Sequence, residues 1–297
     1  MAIFDRIVRV SIGFWTNAPA LVKVVAFFLT WVAVWLPLAI PFAIALKWYP
    51  PKPLPPAQKL FLLAPLYVLA PLIIWSIAQL EDISLRNYGL TWQPELLISL
   101  VWGFSIGILG LVCLFGSQRL LGWIAWQFST PEICPTVPET QTNNTGQQLV
   151  FVLISTMLLG LWISGTEELI FRGFLLNQLQ NDYSAWIAAS ISSAIFAFLH
   201  LIWEWHDTLP QLPGLWLMGM VLVVARWVDG GSLGLAWGLH TGWIWGIAVL
   251  DSTHFVTDTG EGPTWLIGKD GKPLAGAIGL ILLLVTGTFL WQFFPTL

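Results

Sequence analysis

The sequence predicts an all-α fold, a polytopic transmembrane bundle of about eight helices, and three observations carry that prediction. The chain is 57% hydrophobic and only 9% charged, with a mean hydropathy of +0.77, far outside the range of soluble globular proteins. Apolar stretches of roughly 18–25 residues, the length a bilayer core demands, recur along it. Polar loops, rather than scattered charges, divide those stretches.

The expected spans are residues 24–46, 60–80, 96–117, 149–176, 184–202, 214–228, 232–250 and 275–294. Ahead of them, the first twenty residues interleave Arg6 and Arg9 with Ile3, Phe4, Ile7 and Phe14. They lack the clean apolar core of a cleavable signal. Their pattern suits an amphipathic helix lying on the membrane surface. The first three spans are nearly free of internal charge and read as N-terminal scaffold, about residues 1–126. A loop from Gln127 to Gln148, rich in Pro, Thr and Asn, precedes the interesting polar residues, which fall at about 150–250. We expect one integral membrane domain over 1–297, with 150–250 as its catalytic core. The loop Asp251–Pro273 is either solvated or a cap over a site. No tandem repeat is visible, and the acceptor-like triplet Asn143-Asn144-Thr145 carries no weight.

Charge excludes some functions and leaves orientation open. Arg6, Arg9, Lys23, Arg86, Arg172 and Arg226 fall on one side of the expected spans; Lys47, Lys52, Lys59, Arg119, Lys269 and Lys272 fall on the other. Six against six gives the positive-inside rule nothing to choose between. A net charge of −4 argues against a nucleic-acid partner. Cys113 and Cys134 provide neither a disulfide framework nor a metal cluster. Twenty tryptophans exceed what two interfacial belts need, so some must line the bundle interior.

The chemistry concentrates in Thr166-Glu167-Glu168-Leu169-Ile170-Phe171-Arg172. Ionisable groups at membrane depth cost roughly 2.5 kcal/mol or more each. Glu168 and Arg172, four residues apart on one helical face, can pair. Glu167, about 100° round the helix, is left without an obvious partner. Two histidines join this cluster from later spans. His200 shares a face with Phe196, and His240 lies in Gly238-Leu239-His240-Thr241-Gly242-Trp243-Ile244. The bland reading is an ion-pair network with two packing histidines, but one ion pair needs no second carboxylate. His206 and His254 sit in loops and read as solvated; Glu204 and Asp207 read as interfacial.

A glutamate and a neutral imidazole holding one water can generate a nucleophile, with Glu167 as general base. A second histidine can donate to a tetrahedral oxyanion. Zinc is the rival account, with Glu167, His200 and His240 as ligands, although the HExxH spacing is missing. Gly234, Gly238, Gly242 and Gly246 form a ladder at spacing four, a smooth ridge for close helix contact. His240 lies about 200° from Gly238 and Gly242, away from that ridge.

These residues resemble the CPBP family of intramembrane proteases, which includes the CaaX prenyl endopeptidases and the bacteriocin-processing Abi proteins. The family pattern is EExxxR, then FxxxH, then HxxxN or a variant, across eight membrane helices. Glu167, Glu168 and Arg172 match the first motif, Phe196 and His200 the second, and His240 the start of the third. The resemblance covers about residues 150–250. It implies a water held by Glu167 and His200, with Glu168, Arg172 and Phe196 organising the site and His240 at the oxyanion. It also implies a glutamate-type enzyme without a cofactor, although the family was first described as metal-dependent. The substrate it implies is a membrane-embedded protein or lipidated peptide met within the lipid bilayer. The membrane is the plasma membrane or, by the tryptophan-rich style, a thylakoid membrane. The departure is Ile244, where many members place Asn. Thr241 or Trp243 would then supply the missing donor, or catalysis weakens and the fold serves as a scaffold or chaperone for membrane proteins. A proton-coupled transporter is a third option, against which stands the lack of an internal repeat.

Overall fold

The structure, a computed structural model, describes residues 2–49, 55–127, 145–202 and 205–294. Cys134, Asn143, Asn144, Lys52 and Glu204 lie outside the described residues. The molecule is all-α, 82% helical. In chain order its helices are α1 (Ala2–Asn17), α2 (Ala20–Ala45), α3 (Pro56–Leu80), α4 (Pro94–Leu120), α5 (Thr145–Glu168) and α6 (Leu176–Gln180). They continue as α7 (Ala185–Leu199), α8 (Trp205–Thr208), α9 (Leu212–Val228), α10 (Gly234–Thr253), α11 (Thr264–Ile267) and α12 (Ala277–Phe293). Each expected span coincides with a helix. Among the described residues, six helical stretches are long and apolar enough to cross a membrane: 20–45, 58–80, 94–120, 146–180, 185–202 and 205–228. The two remaining expected spans fold as α10 and α12. Glycine, His240 and Thr241 dilute the hydropathy of α10, and α12 is an apolar helix of only 17 residues.

The chain divides into two compact units. The first comprises residues 1–91 and 166–188. Its core gathers around Phe174, whose ring lies 4.9 Å from Phe27, 5.8 Å from Tyr88 and 6.2 Å from Trp15. α2 and α3 are tied by tryptophans: the Trp31 indole donates to the Leu66 carbonyl at 2.8 Å, and that of Trp35 to Leu62 at 2.9 Å. Such bonds give buried indoles partners where no water is at hand. Asp182 accepts a 2.6 Å bond from the backbone N–H of Ala20. A carboxylate there satisfies one of the free donors at the start of α2 and complements its dipole.

The second unit comprises residues 92–165 and 189–297. Its centre is the contact of α4 with α10, and the glycine ladder makes that contact. A Cβ on Gly242 would stand 2.7 Å from the Phe104 carbonyl oxygen, and one on Gly238 would collide with that of Leu100. Gly103 and Gly107 of α4 return the arrangement against Leu235 and Leu239. The ridge therefore faces a neighbouring helix, as the spacing predicts. α10 also meets α5 beside the ridge: the Trp237 indole donates to Leu161 at 2.9 Å and that of Trp245 to Leu153 at 3.0 Å. A short antiparallel pair, β1 (Ile124–Trp126) with β2 (Val256–Asp258), ties the segment after α4 to that after α10. Part of the loop Asp251–Pro273 is thus ordered against the protein.

Candidate active site

Glu167 and Glu168 end α5, and the helix does not continue in α form. Residues Leu169–Leu175 form a π-helical stretch before α6 resumes. Widened turns of this kind occur mostly as single-turn bulges and often at functional sites. Here the stretch is wholly buried and includes Arg172. The Arg172 guanidinium donates to Glu168 Oε1 at 3.0 Å, with both side chains inaccessible to solvent. Deleting one partner of such a pair costs about 3–5 kcal/mol, because the other charge stays buried. The pairing of these two residues is as their spacing predicts.

Glu167 has a partner that the sequence did not disclose. The Tyr67 hydroxyl of α3 donates to Glu167 Oε1 at 2.5 Å. α3 therefore does more than brace the fold. A phenol bonded to a carboxylate oxygen fixes the direction of the other lone pairs. Nothing local marks Tyr67; it is one tyrosine in an apolar span, 100 residues from the acid it meets.

The second unit holds both histidines, arranged about one ring. Phe196 is fully buried, with the His200 ring 4.6 Å and the His240 ring 5.9 Å from its centroid, both edge-on. The FxxxH pair is thus a packed unit, with Phe196 in contact with both imidazoles. His200 ends α7 and starts a short 3-10 turn, His200–Ile202. Its Nδ1 lies 2.8 Å from the Phe196 carbonyl oxygen. A carbonyl cannot donate, so Nδ1 carries the proton and Nε2 of the neutral ring is left as an acceptor. That is the tautomer able to take a hydrogen bond from water. His240 is buried in the middle of α10.

The residues flanking His240 differ in what they can offer. Thr241 lies 2.6 Å from the Ser164 hydroxyl and 2.8 Å from the Trp237 carbonyl, while Ser164 in turn reaches the Gly160 carbonyl at 2.6 Å. The single Thr241 proton is taken up in this chain. Trp243 makes no indole hydrogen bond among the described residues and is nearly buried. Ile244 packs a methyl over Gly160. His206 and Asp207 border a small recess with Lys272, and the exposed Asp207–Lys272 bridge spans 3.2 Å. His254 occupies the left-handed position closing α10, with φ 47°. Both histidines stand apart from the Phe196 cluster in sequence and role.

The carboxylates, Arg172 and Tyr67 belong to the first unit; Phe196, His200, His240, Thr241 and Trp243 belong to the second. Among the described residues no three His, Cys, Asp or Glu side chains gather as a metal-ligand set.

Residues 145–246 match the family model described as type II CAAX prenyl endopeptidase Rce1-like. Over that segment the chain is similar to that family. The match spans about a third of the chain and contains every residue of the three motifs, from Glu167 to Ile244. No curated protein and no solved structure matches. With six helical stretches among the described residues long and apolar enough to cross a bilayer, the chain is a multi-pass membrane protein whose segment 145–246 is similar to the type II CAAX prenyl endopeptidases.

Proposed function

We propose that the protein is an intramembrane endopeptidase of glutamate type, acting on a membrane-embedded or lipidated substrate. Glu167 removes a proton from a water as the water oxygen bonds to the scissile carbonyl carbon. His200 accepts a hydrogen bond from that water at Nε2, and His240 donates to the oxygen that becomes negative. Collapse of the tetrahedral species breaks the C–N bond, and the Glu167 carboxyl returns its proton to the departing amine. Glu168 and Arg172 hold the turn that carries Glu167, Phe196 sets the imidazoles, and Trp243 is a second oxyanion donor through its indole N–H. Prenylated proteins are one substrate class the reading allows; signal peptides and single-span proteins are others.

The observation that carries this reading is Glu167 itself. It is a buried carboxylate at the end of α5, next to a π-helical turn, and it accepts a hydrogen bond from a phenol. An ion-pair network needs Glu168 and Arg172 but has no use for a second acid bonded to a tyrosine. A deletion strain complemented with wild type or with Glu167→Gln, compared for new protein termini in its membranes, tests the proposal. Termini that vanish in Glu167→Gln, with the protein present at normal level, are the expected result. Unchanged termini would reject the protease reading.

A second reading has its own observation. Ile244 offers no donor, and the Thr241 proton is taken up by its neighbours. Loss of an oxyanion donor costs about 3–4 kcal/mol of barrier. A slow enzyme of this build would act chiefly as a scaffold for membrane proteins, and Glu167→Gln would then rescue the deletion fully.

A further inference from the structure

The first unit contains a cavity of about 510 Å³ that the proposed reaction does not use. Its lining comes from the start of α2, the segment after α3 and the end of α6. α2 begins at Ala20, α3 stops at Leu80 and α6 stops at Gln180. Three candidate membrane spans, 20–45, 58–80 and 146–180, thus have ends at the cavity. Gln178 lies eleven residues beyond Glu167 in the chain. The volume is within the range of small-molecule sites.

Its charges cancel internally. The Lys23 ammonium donates to Glu81 Oε1 at 3.2 Å, and both side chains are largely buried. Glu81 also accepts from the Tyr88 hydroxyl at 2.9 Å and from the Gln178 amide at 2.9 and 3.0 Å. Burial pushes the Tyr88 phenol far above its usual value, so it remains a donor. A cation already matched in this way leaves no excess charge to hold a phosphate.

One group is left over. Gln178 is 3% exposed, its amide nitrogen is spent on Glu81, and its Oε1 has no hydrogen-bond partner. A buried acceptor without a donor costs about 1–3 kcal/mol. Asn87, Gln180 and Asn181 add further amides to the wall, and Trp15 adds an aromatic edge. Amides both give and receive hydrogen bonds, the complement of hydroxyl groups that do the same. We propose that this cavity binds a neutral polyhydroxyl group, a glycolipid headgroup or a free sugar, with the Gln178 side chain shifting to let Oε1 accept from one hydroxyl. A quaternary ammonium has no proton to give Gln178, and an anion meets no unmatched cation.

The test uses the full chain in phosphatidylcholine nanodiscs, titrated with monoglucosyl diacylglycerol, phosphatidylglycerol or free glucose, with binding read by native mass spectrometry. Monoglucosyl diacylglycerol should bind at least tenfold more tightly than phosphatidylglycerol. Gln178→Leu and the exposed Asn181→Leu should each weaken it at least tenfold, with the unfolding temperature of Asn181→Leu unchanged. Displacement by glucose alone would name a free sugar as occupant; failure of glucose to compete would name the lipid. Equal affinity for the two lipids, or glucosyl-lipid binding that survives Asn181→Leu undiminished, would overturn the proposal.

Discussion

Tyr67 is the residue whose role is sharpest and least visible beforehand. Its hydroxyl donates to the one carboxylate that has work to do in the proposed reaction. A hydrogen bond to an ionised group contributes roughly 1.5–3 kcal/mol. Tyr67→Phe removes the donor and keeps the ring, so packing is little disturbed. We expect kcat on any identified substrate to fall about tenfold to a hundredfold, with the unfolding temperature lowered by the loss of this one bond. A Tyr67→Phe enzyme with wild-type kcat would remove Tyr67 from the site. Glu167, Glu168 and Arg172 were legible because charge inside an apolar run is costly and conspicuous. Phe196, His200 and His240 were legible through helical spacing and motif order. Tyr67 was not, because a tyrosine in a membrane span is ordinary and its partner is 100 residues away. Thr241 shows the converse limit: the sequence offers its hydroxyl as a donor, and only the packing reveals Ser164 and the Trp237 carbonyl competing for it.

Among elements, α10 was read best and the turn after α5 worst. The spacing of Gly234, Gly238, Gly242 and Gly246 gave both the contact face and the direction of His240. Gly238 has the least room, since an added methyl meets the Leu100 carbonyl with rigid backbone on both sides. Overpacking costs typically 1–3 kcal/mol, and more where nothing can yield. Gly238→Ala should lower the unfolding temperature well beyond Gly13→Ala, whose position is open; parity between the two would contradict the close packing. The π-helical stretch Leu169–Leu175 has no sequence signature, because no residue type demands it.

The start of α10 also carries a pH dependence. Asp229 accepts from the Ser99 hydroxyl at 2.6 Å and the Leu235 N–H at 3.1 Å. Burial raises its carboxyl above the usual 3.8, with the bonds from Ser99, Leu235 and Ser232 drawing it partly back. The folded state therefore holds this proton to higher pH than the unfolded state does. The associated stability is complete below pH 3.8 and is lost as pH rises through the raised value. Melting temperatures of wild type and Asp229→Asn, followed upward from pH 3.5, should converge or cross in that window. Parallel curves would show that Asp229 does not titrate differently on folding.

For the whole molecule, the Rce1-like match and the folding unit have different limits. The matched segment, 145–246, includes all three motifs but not the helices that bury them. Phe174 needs Phe27 and Trp15, Glu167 takes its bond from Tyr67, and the ladder of α10 has its counterpart in Gly103 and Gly107 of α4. Every one of those partners precedes residue 145. Cut free, the segment would expose the glycine ridge and the Phe174 pocket and leave the buried acid without its phenol. An unpaired polar group at membrane depth costs several kcal/mol. We therefore expect a 145–246 fragment to aggregate in detergent, while the full chain runs as a single species. Co-expression of residues 1–127 with residues 145–297 should recover the folded protein, since no described contact then lacks its partner. A monodisperse, heat-cooperative fragment 145–246 would show instead that the motif region folds alone, with the preceding helices as accessories.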